Sequence, residues 1–148
     1  MDELYQELIL DHYRRPRNRG RLDGADRTAE LHNPLCGDEI VVDLKLEGET
    51  VAEIRFDGHG CAISQASASM MTERVKGRSV GEARAAIELF RSLMRGEGDI
   101  EKAADFIGDL VALGGVRRFP VRIKCATLPW NALALALEGR RGEEAAEP

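Results

Sequence analysis

Three cysteines and one aspartate carry the most distinctive chemistry in this chain. The cysteines lie in Asn33-Pro34-Leu35-Cys36-Gly37-Asp38, in Gly58-His59-Gly60-Cys61-Ala62-Ile63-Ser64 and in Arg122-Ile123-Lys124-Cys125-Ala126-Thr127. Flanking Gly and Pro interrupt regular structure, so the pattern predicts each sulfur at the end of an element. Asp38 follows the first sulfur by two residues, and the small Gly37 between them lets both side chains converge on one ion. Three thiolates and a carboxylate form a complete tetrahedral donor set for a zinc-like cation. The candidate ligands are therefore Cys36, Asp38, Cys61 and Cys125.

Cys61 and Cys125 share a local design, a sulfur followed by Ala and then a hydroxyl residue, which reads as the start of a helix. Unpaired N–H groups and the positive helix end would favour thiolate there. Cys36 differs in sitting in a Pro-to-Gly loop, the most mobile of the three settings. A divalent ion with these four donors leaves an excess of negative charge, which Arg122 and Lys124, flanking Cys125, could offset. A buried cysteine often behaves only as a small hydrophobe, and no C-x-x-C pair is present. The shared placement of all three favours a common site. His59 could reach such an ion, although a strand-end histidine bonded to backbone is the commoner case. His12 and His32 lack ligand-like spacing. The serines of Ser64-Gln65-Ala66-Ser67-Ala68-Ser69 have no His–acid partner to activate them, so close helix packing explains them better.

Periodicity supplies the elements that must position these residues. Asp2 to Arg14 reads as an amphipathic helix with Leu4, Tyr5, Leu8, Ile9 and Tyr13 on one stripe, ended by Pro16. A strand follows near Thr28 to His32. Ile40, Val42, Leu44 and Leu46 then alternate with Val41, Asp43, Lys45 and Glu47, and beyond the turn at Glu47-Gly48-Glu49 Ala52, Ile54 and Phe56 alternate with Glu53, Arg55 and Asp57, a hairpin with one buried face. A helix capped by Ser64 runs to Lys76 before Gly77. Ser79-Val80-Gly81-Glu82 has capping-box spacing for the next, with Ala83, Ala86, Ile87, Phe90 and Met94 inward. Asp99 can start a third, ended by Gly114-Gly115. The last begins just after Cys125 and reaches Gly139, with Pro129 in its first turn. The sum, a hairpin-based sheet followed by segregated helices, reads as α+β. The expected domain spans residues 1–139, followed by a polar, disordered tail over 140–148.

The chain has 148 residues and a formal charge of −5, which disfavours nucleic-acid phosphate as a partner. No apolar run is long enough to span a membrane, and an odd cysteine count without a secretory signal argues for reduced thiols in the cytoplasm. The basic runs Arg14-Arg15-Pro16-Arg17 and Arg117-Arg118 read as solvated or partner-facing patches.

Over nearly its whole length the chain resembles the IscU/NifU-N iron–sulfur cluster assembly proteins. The resemblance rests on Tyr5 through Asp11-His12-Tyr13, Pro16-Arg17-Asn18-x-Gly20, Asn33-Pro34-Leu35-Cys36-Gly37-Asp38, Gly58-x-Gly60-Cys61-Ala62-Ile63-Ser64 and Cys125. Lys124 stands where scaffold-type members carry His, and extra helical turns separate Cys61 from Cys125, roughly over Asp99–Leu113. Both features resemble the SufU branch. The chaperone-recruiting tract of the IscU system is reduced here to Arg118-Phe119-Pro120-Val121-Arg122. The resemblance implies a small antiparallel sheet, a three-stranded meander, with helices packed on one face. It implies Zn2+ held by Cys36, Asp38, Cys61 and Cys125, and a sulfurtransferase role. Cys36 would take persulfide sulfur from a SufS-like cysteine desulfurase and pass it toward a SufBCD-type complex. The alternative is a scaffold holding a transient [2Fe-2S] cluster, with Fe in place of zinc, on the same ligands.

Overall fold

The computed structural model describes residues 3–34, 37–97 and 108–141. The elements run α1 (Glu3–Arg14), β1 (Arg27–Asn33), β2 (Asp38–Glu47), β3 (Thr50–His59), α2 (Ala62–Val75), α3 (Val80–Met94), a 3₁₀ helix (Gly108–Arg118) and α4 (Pro120–Leu137). The strands form an antiparallel meander in the order β1-β2-β3, with Asn33 opposite Asp38 and Glu39 opposite His59. Helix α4 packs on β1 and β2, and α2 packs on β3. The expected α+β architecture is the one observed.

Strand alternation sends Ile40, Val42, Leu44, Ile54 and Phe56 toward the helices, all fully buried. A bulge between Lys45 and Leu46 shifts the register, so Val51 rather than Ala52 fills the core at the start of β3. An extra residue in one strand reverses the face of everything beyond it, which alternation alone does not reveal. Trp130 ties α4 to its neighbours. It stacks on Phe90 with ring centroids 4.9 Å apart, and its Nε1–H donates to Ser67 Oγ at 3.1 Å. That hydroxyl donates in turn to the Ala126 carbonyl at 2.6 Å. Ser69 of the same small-residue run, and Thr72 three residues on, hold the N-terminal segment. The buried His12 places Nδ1 2.8 Å from Ser69 Oγ, Arg17 N–H donates to that oxygen at 2.9 Å, and Asn18 Nδ2 donates to Thr72 Oγ1 at 3.1 Å. The hydroxyls are therefore packing anchors, as expected.

Several boundaries differ from the periodicity. Tyr13 is exposed, and the residue that α1 buries near its end is His12, whose polar ring has a partner on α2. Helix α2 starts two residues before Ser64, with Cys61 as its N-cap; the Ser64 hydroxyl instead donates to the Cys61 carbonyl at 3.1 Å. The capping box at Ser79 and Glu82 is formed, and Ala83, Ala86, Ile87, Phe90 and Met94 are buried. The expected helix from Asp99 falls largely on residues 98–107, outside the described residues. The 3₁₀ helix runs through Gly114-Gly115 rather than stopping there. The last helix begins at Pro120 and not after Cys125, so Pro129 lies inside it. Two prolines competed as the start signal, and Pro120, whose fixed φ suits the first helical position, is the one used. Of the tail, residues 142–148 lie outside the described residues, while the Arg141 carbonyl accepts the Glu30 N–H at 3.0 Å.

Candidate metal centre

Asp38 opens β2 on the helix-facing side of the sheet. Cys61 caps α2 just after β3, and Cys125 sits in the second turn of α4. The topology brings these three ends together: a carboxylate oxygen of Asp38 and the sulfurs of Cys61 and Cys125 all lie within 4.8 Å of one another. Asp38 and Cys125 are buried, at 1% and 0% exposure, whereas Cys61 is partly open. Cys36 lies outside the described residues. The connection that contains it leaves β1 at Asn33 and enters β2 at Asp38, and the Gly37 N–H closes back on the Asn33 carbonyl at 2.8 Å. Gly37 has φ +71°, a left-handed conformation that costs glycine little.

The two carboxylate oxygens of Asp38 have different roles. Oδ1 accepts the Cys61 backbone N–H at 2.9 Å, which fixes the carboxylate against the start of α2. Oδ2 is buried and has no hydrogen-bond donor among the described residues. Such an atom carries a desolvation cost that a cation would relieve. Gly60 makes the approach possible, because a Cβ there would collide with Asp38 Oδ1 and Ser64 Oγ. A thiolate-rich set with one orphaned carboxylate oxygen fits a zinc-like ion.

Arg122 is one helical turn before Cys125 and shares its side of α4. The Cys61 sulfur, and secondarily that of Cys125, raises the Arg122 pKa above the ordinary arginine value against a smaller opposing effect of burial. Arg122 thus sits beside both thiols, as its sequence position suggests. Lys124 is exposed and about 100° around the helix from Cys125. Cys61 stands at a helix N-terminus as expected. Cys125 does not: it is the sixth residue of α4, beyond the first turn where the helix dipole acts, and its Sγ lies 3.6 Å from the Val121 carbonyl. Pro129, four residues on, has no N–H to give the Cys125 carbonyl. His59 is exposed at the end of β3 and is not among the converging donors. His32 lies on the outer face, with Nδ1 3.2 Å from Glu39 Oε2. That face also hides a carboxylate the periodicity missed, Asp43, which accepts from Arg21 Nε at 2.7 Å, Leu22 N–H at 3.0 Å and Thr28 Oγ1 at 2.6 Å.

Comparison with known proteins decides the family. Residues 4–126 match the model of the NifU-like N terminal domain. The chain belongs to the NifU-like N-terminal domain family. Within it, the chain is 43% identical to the zinc-dependent sulfurtransferase SufU of Bacillus subtilis, over 96% of this chain and 95% of that protein. It is 41% identical to the iron-sulfur cluster assembly scaffold protein IscU of Streptococcus pyogenes, over 93% of this chain and 85% of that protein. Among solved structures it superposes on a candidate scaffold protein for iron-sulfur cluster assembly in the SUF system from Fervidobacterium islandicum. The TM-score is 0.83 and the identity 32%, covering 88% of this chain and 94% of that one. This NifU-like chain therefore shares the SufU/IscU fold and supplies an Asp-Cys-Cys group that could hold a metal ion.

Proposed function

We propose that this protein accepts persulfide sulfur from a cysteine desulfurase and passes it to a SufBCD-type assembly complex, using a zinc site made of Cys36, Asp38, Cys61 and Cys125. The observation that carries the reading is Asp38, whose buried Oδ2 has no donor among the described residues and one of whose carboxylate oxygens lies within 4.8 Å of the Cys61 and Cys125 sulfurs. The NifU-like relative from Bacillus subtilis, named a zinc-dependent sulfurtransferase, supports it. Zinc in such a set keeps thiols deprotonated and shields them from oxidation.

The chain's own residues divide the work. Cys36 is the acceptor: its thiolate attacks the terminal sulfur of the donor's persulfide, the donor's S–S bond breaks, a new S–S bond forms on Cys36, and the donor cysteine leaves as a thiolate. No external oxidant is required. Cys125, fully buried, is a fixed ligand rather than a surface nucleophile. Cys61 is presented at the N-terminus of α2, Asp38 holds that helix start in place through the Cys61 N–H, and Arg122 balances the excess negative charge. Lys124 adds positive potential at the exposed flank.

Mass spectrometry of the alkylated protein, after mixing with a desulfurase and cysteine, tests the assignment. One added sulfur on the Cys36 peptide is expected, and none on the Cys36→Ser variant. Full sulfur loading of that variant would overturn it. The scaffold reading is favoured by the relative named IscU, since cluster iron also takes thiolates, although Lys124 offers no ligand where a histidine would. A colourless protein with one zinc after anaerobic reconstitution supports transfer; a stable brown one supports the scaffold.

A further inference from the structure

Between Asp109 and Glu138 the chain carries four cations, Arg117, Arg118, Arg122 and Lys124, and no carboxylate, although the whole protein bears −5. Arg118, Arg122 and Lys124 are exposed. Phe119 and Val121, set among them, are each 56% exposed, the highest values of any large hydrophobic among the described residues. With Arg118, Pro120 and Arg122 they line an open depression of about 540 Å³ that reaches Cys61.

Phe119 also breaks a local rule. It is the N-cap of α4 and makes no side-chain capping bond, at a position where Ser, Thr, Asp or Asn would satisfy a first-turn N–H. Pro120 follows at the first helical position and fixes φ, so the ring is presented on a stiffened edge. A residue that forgoes capping while exposing an aromatic face beside a reactive site is the kind of local conflict found where function overrides stability.

We propose that this rim docks the sulfur donor. The donor meets it with an apolar side chain seated between Phe119 and Val121, flanked by carboxylates that face Arg118 and Arg122. The inference rests on the sulfur-acceptor reading above. Opposite charge steers encounter and sets orientation, the apolar pair supplies the anchor, and the rigid Pro120 edge lowers the ordering cost of binding. The depression ends at Cys61, so a donor seated there brings its sulfur to the thiols.

The test uses the full chain and measures desulfurase binding by calorimetry separately from sulfur transfer. Phe119→Ser installs a capping hydroxyl, so it should unfold at a higher temperature than the wild type. It should also bind the desulfurase about tenfold more weakly, with unchanged zinc content and unchanged maximal transfer at saturation. Arg118→Glu should weaken binding and flatten its salt dependence. Variants that bind within about twofold of wild type, or a wild type that does not bind the desulfurase, would overturn the docking surface. A wild type that binds through the rim but carries no sulfur would overturn the acceptor reading alone.

Discussion

Asp38 uses one oxygen to hold a backbone N–H and leaves the other buried without a donor among the described residues. In the metal-free protein that oxygen is a liability, because an unsatisfied buried polar atom costs about 1–3 kcal/mol and a charged one more. With an ion beside it the same atom becomes a ligand. Asp38→Asn keeps the acceptor for Cys61 N–H but removes the charge. It should therefore raise the unfolding temperature of the metal-free protein and lower that of the zinc-loaded protein, read by thermal melts with and without chelator. A change of the same sign in both states would remove Asp38 from the ligand set. At this scale much was legible: Asp38, Cys61, Cys125 and Arg122 all converge. Lys124 sits farther round the helix, because adjacent helical residues cannot share a face.

Element boundaries were harder to read, and each miss has a local cause. Cys125 lies inside α4 because Pro120, not Pro129, opens the helix. Ser64 yields the cap of α2 to Cys61, since a sulfur followed by Ala lacks the usual capping side chain. Val51 replaces Ala52 in the core because the bulge at Lys45/Leu46 is silent in an alternating sequence. Asp43 looked like a solvent-facing strand residue, yet the connector after α1 folds over it and supplies Arg21 and the Leu22 N–H as donors, beside Thr28 of β1. Burial raises the Asp43 pKa, but the bonds from Arg21, Thr28 and Leu22 together outweigh it and leave the pKa below the ordinary aspartate value. The stability this contributes is present above the unfolded pKa of about 3.9 and is lost as pH falls through the lower folded value. Asp43→Asn should therefore be destabilised at neutral pH, and its deficit should shrink below about pH 4. A deficit that stays constant down to pH 2 would contradict this. The capping box at Ser79 was readable because both partners are near neighbours in sequence, and Ser79→Ala should cost about 0.5–2 kcal/mol by denaturant unfolding.

The whole molecule is a sheet with helices on one face, and its site lies where strand ends and helix starts meet. Among the described residues no helix is long and apolar enough to cross a membrane. Among the described residues the hydrophobic core draws on α1, all three strands, α2, α3, the 3₁₀ helix and α4, and Asp38, Cys61 and Cys125 are not part of that cluster. Chelating the metal should therefore leave far-ultraviolet circular dichroism unchanged while lowering the unfolding temperature. The loss is about 2.7 kcal/mol when free zinc had stood at a hundred times its dissociation constant. Collapse of helix and sheet content on chelation would instead make the ion a structural staple. The central claim is that distant segments form one sulfur-rich coordination sphere. Cobalt substitution tests it most directly, because cobalt reports its ligands by colour. The expected titration saturates at one ion per chain with intense thiolate-to-cobalt absorption, and Cys61→Ser, Cys125→Ser and Cys36→Ser each diminish that band. Binding without thiolate absorption, or a band indifferent to these substitutions, would contradict the account.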